Sequence, residues 1–188
     1  NLFPRSCLMR TNCILVCAFS VSCLCLCACD PAAGGMGTGV NRSGENLNPN
    51  VIEIAAFLSP NPFGPVGGGT KPGGFKINAL YLMSPDGKGG VRGVYADGII
   101  HVYLYTVDRP QDGKSERKLA REWMYDPEQA RPYRSKKPTV MGWGYQLHCV
   151  WGDADVLGKY VEIEIRFERK DGGVVCSRRY SFRVPKGQ

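Results

Sequence analysis

Nine cysteines are the most reactive side chains in the sequence, and seven of them fall within the first 29 residues. The spacing Cys23-x-Cys25-x-Cys27-x-Cys29 raises the question of a soft-metal site, because thiolates favour Cu(I) or Zn²⁺. Structural zinc sites pair cysteines about two to four residues apart, with a second pair elsewhere. These cysteines instead alternate with Leu and Ala in an apolar run, as small hydrophobic residues do. We therefore expect no metal site and no cofactor.

The other two cysteines, Cys149 and Cys176, lie in the C-terminal half of the chain. By period-two alternation they share faces with Leu147 and Tyr180, so both side chains are expected to point inward. In an exported protein, a disulfide between them would restrict the unfolded chain by ~3 kcal/mol. The sequence leaves three alternatives open: that disulfide, two buried thiols, or a reactive nucleophile.

His101 and His148 are the only histidines in the sequence. A Cys/His or Ser/His catalytic site would need one of them beside a nucleophile and an orienting acid. Neither Gly-x-Ser-x-Gly nor His-Glu-x-x-His occurs. We therefore expect structural or surface histidines. The alternative function is an envelope hydrolase acting on polysaccharide or phosphate esters, with acids and His148 at one end of the domain.

Positive charge is concentrated in one short segment. The chain has 24 Lys and Arg against 17 Asp and Glu, a formal net charge of +7. Four of the basic residues surround Tyr133, namely Arg131, Arg134, Lys136 and Lys137. On a membrane-tethered domain such a cluster would bind anionic headgroups or envelope polyanions at ~1 kcal/mol per basic residue. No nucleic-acid-binding module is recognisable, so we expect no nucleic acid partner.

β-Strands must position these side chains, because period-two alternation dominates from Phe75 onward. Seven segments predict strands: Val51–Phe57, Lys76–Met83, Ile99–Val107, Leu119–Tyr125, Tyr145–Trp151, Val161–Glu168 and Tyr180–Val184. One short helix is predicted at Asp126–Arg131, with Asp126 as its cap. About seven strands without repeated helical crossovers predict an all-β fold, an antiparallel β-sandwich of Ig-like or C2-like type over residues 51–188.

The N-terminal segment is typical of a secretory signal sequence. Residues 1–12 carry Arg5 and Arg10 without an acid, and residues 13–28 form an apolar run. The end of that run, Leu26-Cys27-Ala28-Cys29, resembles the lipobox of bacterial lipoproteins. The resemblance implies a lipoprotein signal peptide at residues 1–28 and diacylglycerol on the Cys29 thiol. The glycine-rich residues 29–50 predict a lipidated flexible tether.

The domain itself carries a second resemblance. The run Asp97–Tyr105, followed by Gly142–Leu147 and Trp151-Gly152, resembles small uncharacterised bacterial envelope lipoproteins whose mature part is a β-sandwich. The resemblance implies a lipid-anchored position at the cell membrane or the periplasmic face of the envelope. We expect a non-enzymatic binding or structural module with the membrane as its partner. A further expectation is sugar binding on exposed rings of Trp143 and Tyr145. The sequence does not indicate an oligomeric state.

Overall fold

The computed structural model describes residues 46–66, 69–108 and 115–186. The predicted signal peptide, Cys29 and most of the predicted tether lie outside the described residues. In chain order the strands are β1 (Glu53–Phe57), β2 (Phe63–Pro65), β3 (Pro72–Pro85), β4 (Val91–Val94), β5 (Gly98–Asp108), β6 (Glu116–Tyr125), β7 (Tyr145–Val150), β8 (Tyr160–Arg169), β9 (Val174–Cys176) and β10 (Tyr180–Arg183). A helix, α1 (Pro127–Ala130), leads into a 3₁₀ turn at Arg131–Tyr133.

The strands form two five-stranded antiparallel sheets that pack against each other. In the first sheet β3 is central and pairs with β1, β2, β4 and β7. In the second sheet the order is β10-β8-β5-β6, and β9 also pairs with β8. The predicted all-β sandwich is therefore confirmed, with ten strands in the described residues instead of about seven.

Alternating side chains explain why the two sheets pack. In β5, Ile100, Val102 and Leu104 point into the interior, and their cross-strand partners in β8, such as Phe167 and Ile163, are equally buried. Full burial of an aliphatic or aromatic side chain of this size contributes roughly 1.5–3 kcal/mol. The core is one continuous cluster drawn from both sheets.

The seven predicted strands and the predicted helix are confirmed, with shifts of a few residues at their ends. Asp126 caps α1 by accepting hydrogen bonds from the amides of Glu128 and Gln129. The strands that the sequence did not predict, β2, β4 and β9, have three or four residues each. β2 and β4 contain glycine or proline, which are poor strand formers, so long neighbouring strands rather than propensity hold them in the sheets.

The packed domain also begins earlier than the sequence predicted. Leu47 packs against the core. The amide of Asn48 donates to the carbonyl of Tyr95 (2.8 Å), and the carbonyl of Asn48 accepts from the amide of Asp97 (3.1 Å). Residues 47 and 48, assigned to the tether on sequence grounds, are therefore part of the folded domain.

The outer face of the second sheet carries an ion-pair network centred on Glu164. The carboxylate of Glu164 contacts Arg166 (2.7 Å), Arg117 (3.1 Å) and Arg179 (3.4 Å), and its side chain is only 6% exposed. Burial alone would raise the pKa of Glu164, but hydrogen bonds from Arg166 and Arg117 outweigh burial and hold the pKa below its ordinary value. The buried negative charge of Glu164 is therefore compensated by three arginines.

The substitution Glu164→Gln tests this network. A carboxylate whose pKa is lowered by folding stabilises the folded state above the unfolded pKa, here 4.5, and loses that contribution as pH falls through the folded pKa. We expect Glu164→Gln to lower the free energy of unfolding at neutral pH by about 1.5–3 kcal/mol. Below pH 4.5, the difference in unfolding free energy between the variant and the original protein should become smaller. Urea denaturation across this pH range measures both effects.

The matched control is Glu116→Gln, because Glu116 is an exposed carboxylate on the same sheet. This control should change the unfolding free energy by less than about 0.5 kcal/mol. Equal stability of Glu164→Gln and the original protein at neutral pH would contradict the network's contribution.

Candidate functional site

One edge of the first sheet carries a row of polar side chains on β7. Along this strand Tyr145, Leu147 and Cys149 are buried, whereas Gln146 and His148 are exposed. This is the alternation expected of a half-buried strand. His148 therefore points away from the core, on the outer face of the first sheet.

The basic segment is held beside β7 by backbone contacts. The amide of Ser135 donates to the carbonyl of Gly144 (2.8 Å), and the amide of Gly144 donates to the hydroxyl of Ser135 (3.2 Å). The hydroxyl of Tyr95 donates to the carbonyl of Ser135 (2.6 Å). The backbone of Arg134 forms an isolated antiparallel β-bridge with the backbone of Tyr145, at the start of β7. These contacts hold the backbone just before Lys136 against the start of β7. The basic side chains therefore lie beside the outer face of the strand.

Together the segment and the strand enclose a surface pocket of about 830 Å³. The lining residues are Pro132, Tyr133, Arg134, Ser135, Lys136, Lys137, Thr139, Gln146 and His148. Of these described residues, none is acidic. We call this site the basic pocket. Its cations stand among hydroxyl, amide and imidazole groups that can donate hydrogen bonds to an anion.

The cations of the basic pocket are not neutralised by neighbours. Lys136 and Lys137 are exposed, and neither forms an ion pair with another described residue. The guanidinium of Arg134 lies over the ring of Tyr95, 4.7 Å from its centre. The buried Nε of Arg134 has no hydrogen-bond partner within the described part of the chain. The pocket therefore keeps a positive potential.

Lys76 adds a further cation at the border of this pocket. In the register between β3 and β7, Lys76 lies directly opposite His148. Residues opposite each other in an antiparallel pair have Cβ atoms about 4.5–5.5 Å apart on the same face of the sheet. Lys76 is exposed and lines a second cleft that also contains His148.

Three of the four basic residues proposed from the sequence therefore come together, and Arg131 does not. Arg131 is exposed, pairs with Glu128 at 3.7 Å across one helical turn, and does not line the pocket. Sequence reasoning did not assign Lys76, Gln146 or His148 to the anion site. Alternation marked Gln146 and His148 as outward residues, but only the β3–β7 register places Lys76 beside them.

The structure places the two candidate cysteines in different sheets, as free thiols. Cys149 is buried, as the alternation in β7 predicted, and its sulfur lies 3.9 Å from the hydroxyl of Tyr125. Burial raises the pKa of Cys149 to about 12. The thiol is therefore protonated at neutral pH and is not an activated nucleophile.

The prediction that Cys176 points inward is wrong, because Cys176 is exposed. A β-bulge is the reason. Between Cys176, which pairs with Arg166, and Tyr180, which pairs with Ile163, the chain has one more residue than β8 has between the partners. The hydroxyl of Ser177 accepts a backbone amide of β8 at this point (3.0 Å). An extra residue reverses the face to which later side chains point, so the alternation counted back from Tyr180 fails. The disulfide alternative is not realised either.

The expected sugar-binding pair of rings is not formed. Tyr145 is 2% exposed, and its hydroxyl accepts the amide of Ala96 (3.1 Å). Trp143 is half-buried, with its ring 5.4 Å from that of Tyr95. The ring of Tyr145 therefore lies in the core and that of Trp143 packs against it, so the two do not form an exposed platform for a sugar.

Among the described residues, His101 on the second sheet contacts the carboxylates of Glu122 (3.0 Å) and Glu168 (3.3 Å). No group of three or more His, Cys, Asp or Glu in the described part of the chain could hold a metal ion. His148 lies in the basic pocket, but no carboxylate lines that pocket to orient its imidazole. In the same described ranges, no helix is long and apolar enough to cross a membrane.

Comparison with protein-family models, with curated proteins and with solved structures finds no match to the chain. The function therefore has to be argued from the geometry of the site, that is, from an acid-free pocket whose cations are held beside β7.

The environments of the two thiols predict different reactivity. In the folded protein, iodoacetamide near pH 8 should alkylate Cys176 readily, because this side chain is exposed. Cys149 should react only after denaturation. Peptide mass spectrometry of native and urea-treated samples measures both positions, and the urea-treated sample, in which both sites react, is the control. Equal alkylation in the native protein would contradict the buried position of Cys149.

Proposed function

We propose that this protein is a membrane-tethered bacterial lipoprotein whose β-sandwich domain is a non-enzymatic binding module for anionic ligands. The observation that carries the proposal is the basic pocket, in which Arg134, Lys136 and Lys137 meet without an acidic neighbour in the lining. The ligand supplies phosphate or carboxylate groups, as anionic headgroups or envelope polyanions do.

Electrostatics support an anion as the ligand. On the second sheet Arg117, Arg166 and Arg179 are paired with Glu164, whereas the lining of the basic pocket has no acidic residue. Lys136 and Lys137 form no ion pair with a described carboxylate. An anion entering the pocket gains charge-assisted hydrogen bonds, which are roughly twice as strong as neutral ones. Because the site is open to solvent, salt should weaken binding.

The tether supports the cell-envelope part of the proposal. The Leu26-Cys27-Ala28-Cys29 motif would place diacylglycerol on Cys29, and two acyl chains hold a folded domain stably at a bilayer. The domain would then work at the membrane or periplasmic face of the envelope. A binding module fits this position without requiring catalytic groups, which the pocket does not assemble around His148.

The double variant Lys136→Gln/Lys137→Gln tests the binding site. Each lost charge-assisted hydrogen bond contributes about 1.5–3 kcal/mol, so we expect affinity for inorganic phosphate to fall about tenfold or more. Isothermal titration calorimetry in low-salt, phosphate-free buffer measures the affinity.

The matched control for this experiment is Lys118→Gln/Arg121→Gln, which removes the same charge from exposed positions on β6 in the second sheet. This control should change the phosphate affinity less than about twofold, because an exposed charge away from the site acts only through screened long-range attraction. An equal loss in both double variants, or release of product from a phosphate ester by the original protein, would overturn the proposal.

The substitution Cys29→Ala tests the anchor. In a bacterial host, the original protein should be found in the membrane fraction with an intact mass that begins at Cys29 and includes diacylglycerol. The Cys29→Ala variant should lose the lipid mass, because the acylated thiol is absent. A chain that keeps residues 23–29 without lipid would contradict the lipoprotein assignment.

A further inference from the structure

An apolar cleft adjoins the basic pocket on the outer face of the first sheet. Its volume is about 320 Å³. The lining residues are Pro62, Gly64, Pro65, Val66, Gly74, Phe75, Lys76, His148, Cys149 and Val150. Apart from Lys76 and His148, at the border with the basic pocket, the lining presents apolar side chains and glycine backbone. We call this site the apolar cleft.

The two sites share His148 as a common wall. Along β7 the outward residues are Gln146 in the basic pocket, His148 at the border and Val150 in the apolar cleft. Alternate residues of a strand are separated by roughly 7 Å. The basic pocket and the apolar cleft are therefore neighbouring parts of one surface, and a single small molecule can reach both.

The apolar cleft is open to solvent. Val66 is 46% exposed and Val150 is 43% exposed, although both are apolar. A Cβ atom placed on Gly64, in β2, would meet no atom within 4 Å. The space in front of Gly64 is therefore unfilled. Apolar surface beside unpaired cations is a combination that suits a ligand with both characters.

We propose that the ligand is an anionic amphiphile, with a phosphate or carboxylate group in the basic pocket and an apolar chain in the apolar cleft. The anionic half of this proposal rests on the proposed function. With about 30 Å³ for each water-sized group, the cleft holds on the order of ten methylene-sized groups. Lys76 and His148 stand at the junction, where the polar end of the molecule meets its chain.

The chain length of the ligand provides the test. Inorganic phosphate, ethyl phosphate, butyl phosphate and octyl phosphate are titrated into the full chain by calorimetry. Each buried methylene group should tighten binding by about threefold to fourfold, so octyl phosphate should bind at least tenfold more tightly than ethyl phosphate. Phosphate binding without dependence on chain length would overturn the amphiphile and leave the anion module intact. If neither phosphate nor the alkyl phosphates bind, both proposals fail.

The substitution Gly64→Val fills the apolar cleft without removing a side chain. No atom stands within 4 Å of the added Cβ, and valine suits a strand. The variant should bind octyl phosphate no more tightly than ethyl phosphate, and its affinity for inorganic phosphate should be unchanged. Retention of the full chain-length gain would overturn the assignment of the chain to this cleft.

A second variant keeps the test valid if Gly64→Val does not fold. Val150→Thr replaces an exposed methyl group of the cleft by a hydroxyl. Its matched control is Val174→Thr in β9, where the valine is 56% exposed and does not line the cleft. The affinity for octyl phosphate should fall several-fold in Val150→Thr and should not change in Val174→Thr. Equal effects of the two substitutions would overturn the proposal.

Vesicles distinguish a membrane lipid from a soluble amphiphile once the chain-length effect is measured. A chain of residues 40–188, which keeps every described strand and lacks the apolar run at residues 13–28, is mixed with phosphatidylglycerol vesicles and sedimented, with and without Gly64→Val. Loss of co-sedimentation on Gly64→Val supports a bilayer lipid as the ligand. Unchanged co-sedimentation with loss of octyl phosphate binding supports a soluble amphiphile.

Discussion

The pairing of β3 with β7 is the constraint on which the rest of the domain depends. β3 is the longest strand, and it hydrogen-bonds with four others in the first sheet. Its register with β7 buries Phe75 against Cys149 on one face and sets Lys76 beside His148 on the other. A slip of one residue would exchange the two faces. The same register therefore fixes which side chains of β3 and β7 enter the core and where the basic pocket meets the apolar cleft.

The two sheets use charge in opposite ways. On the second sheet three arginines converge on Glu164, so that the buried carboxylate is compensated by ion pairs and hydrogen bonds. On the first sheet the cations near His148 have no described acidic partner and stand over an open pocket. Uncompensated positive charge contributes little to folding, because it repels itself. In the basic pocket several such cations line one concave site without an acid, and that arrangement is the physical argument for an anionic ligand.

Much of the fold could be predicted from the sequence, because alternation in β5 and β8 and the cap at Asp126 depend only on neighbouring residues. Short strands such as β2 could not, since their hydrogen bonds come from distant segments. The exposure of Cys176 was also beyond sequence reasoning, because an unmarked bulge changes the face. Likewise Lys136 and Lys137 were identifiable from charge density, but Lys76 joins them only through a long-range register.

The central claim is that the basic pocket, rather than the domain surface as a whole, binds anions. The most direct test is a two-dimensional NMR titration of the isotope-labelled protein with inorganic phosphate. The account predicts saturable shifts confined to the signals of Lys136, Lys137, Gln146 and His148, with Arg166 and Arg179 on the second sheet unchanged. Shifts centred on the second sheet, or small unsaturable shifts over all basic residues, would contradict it.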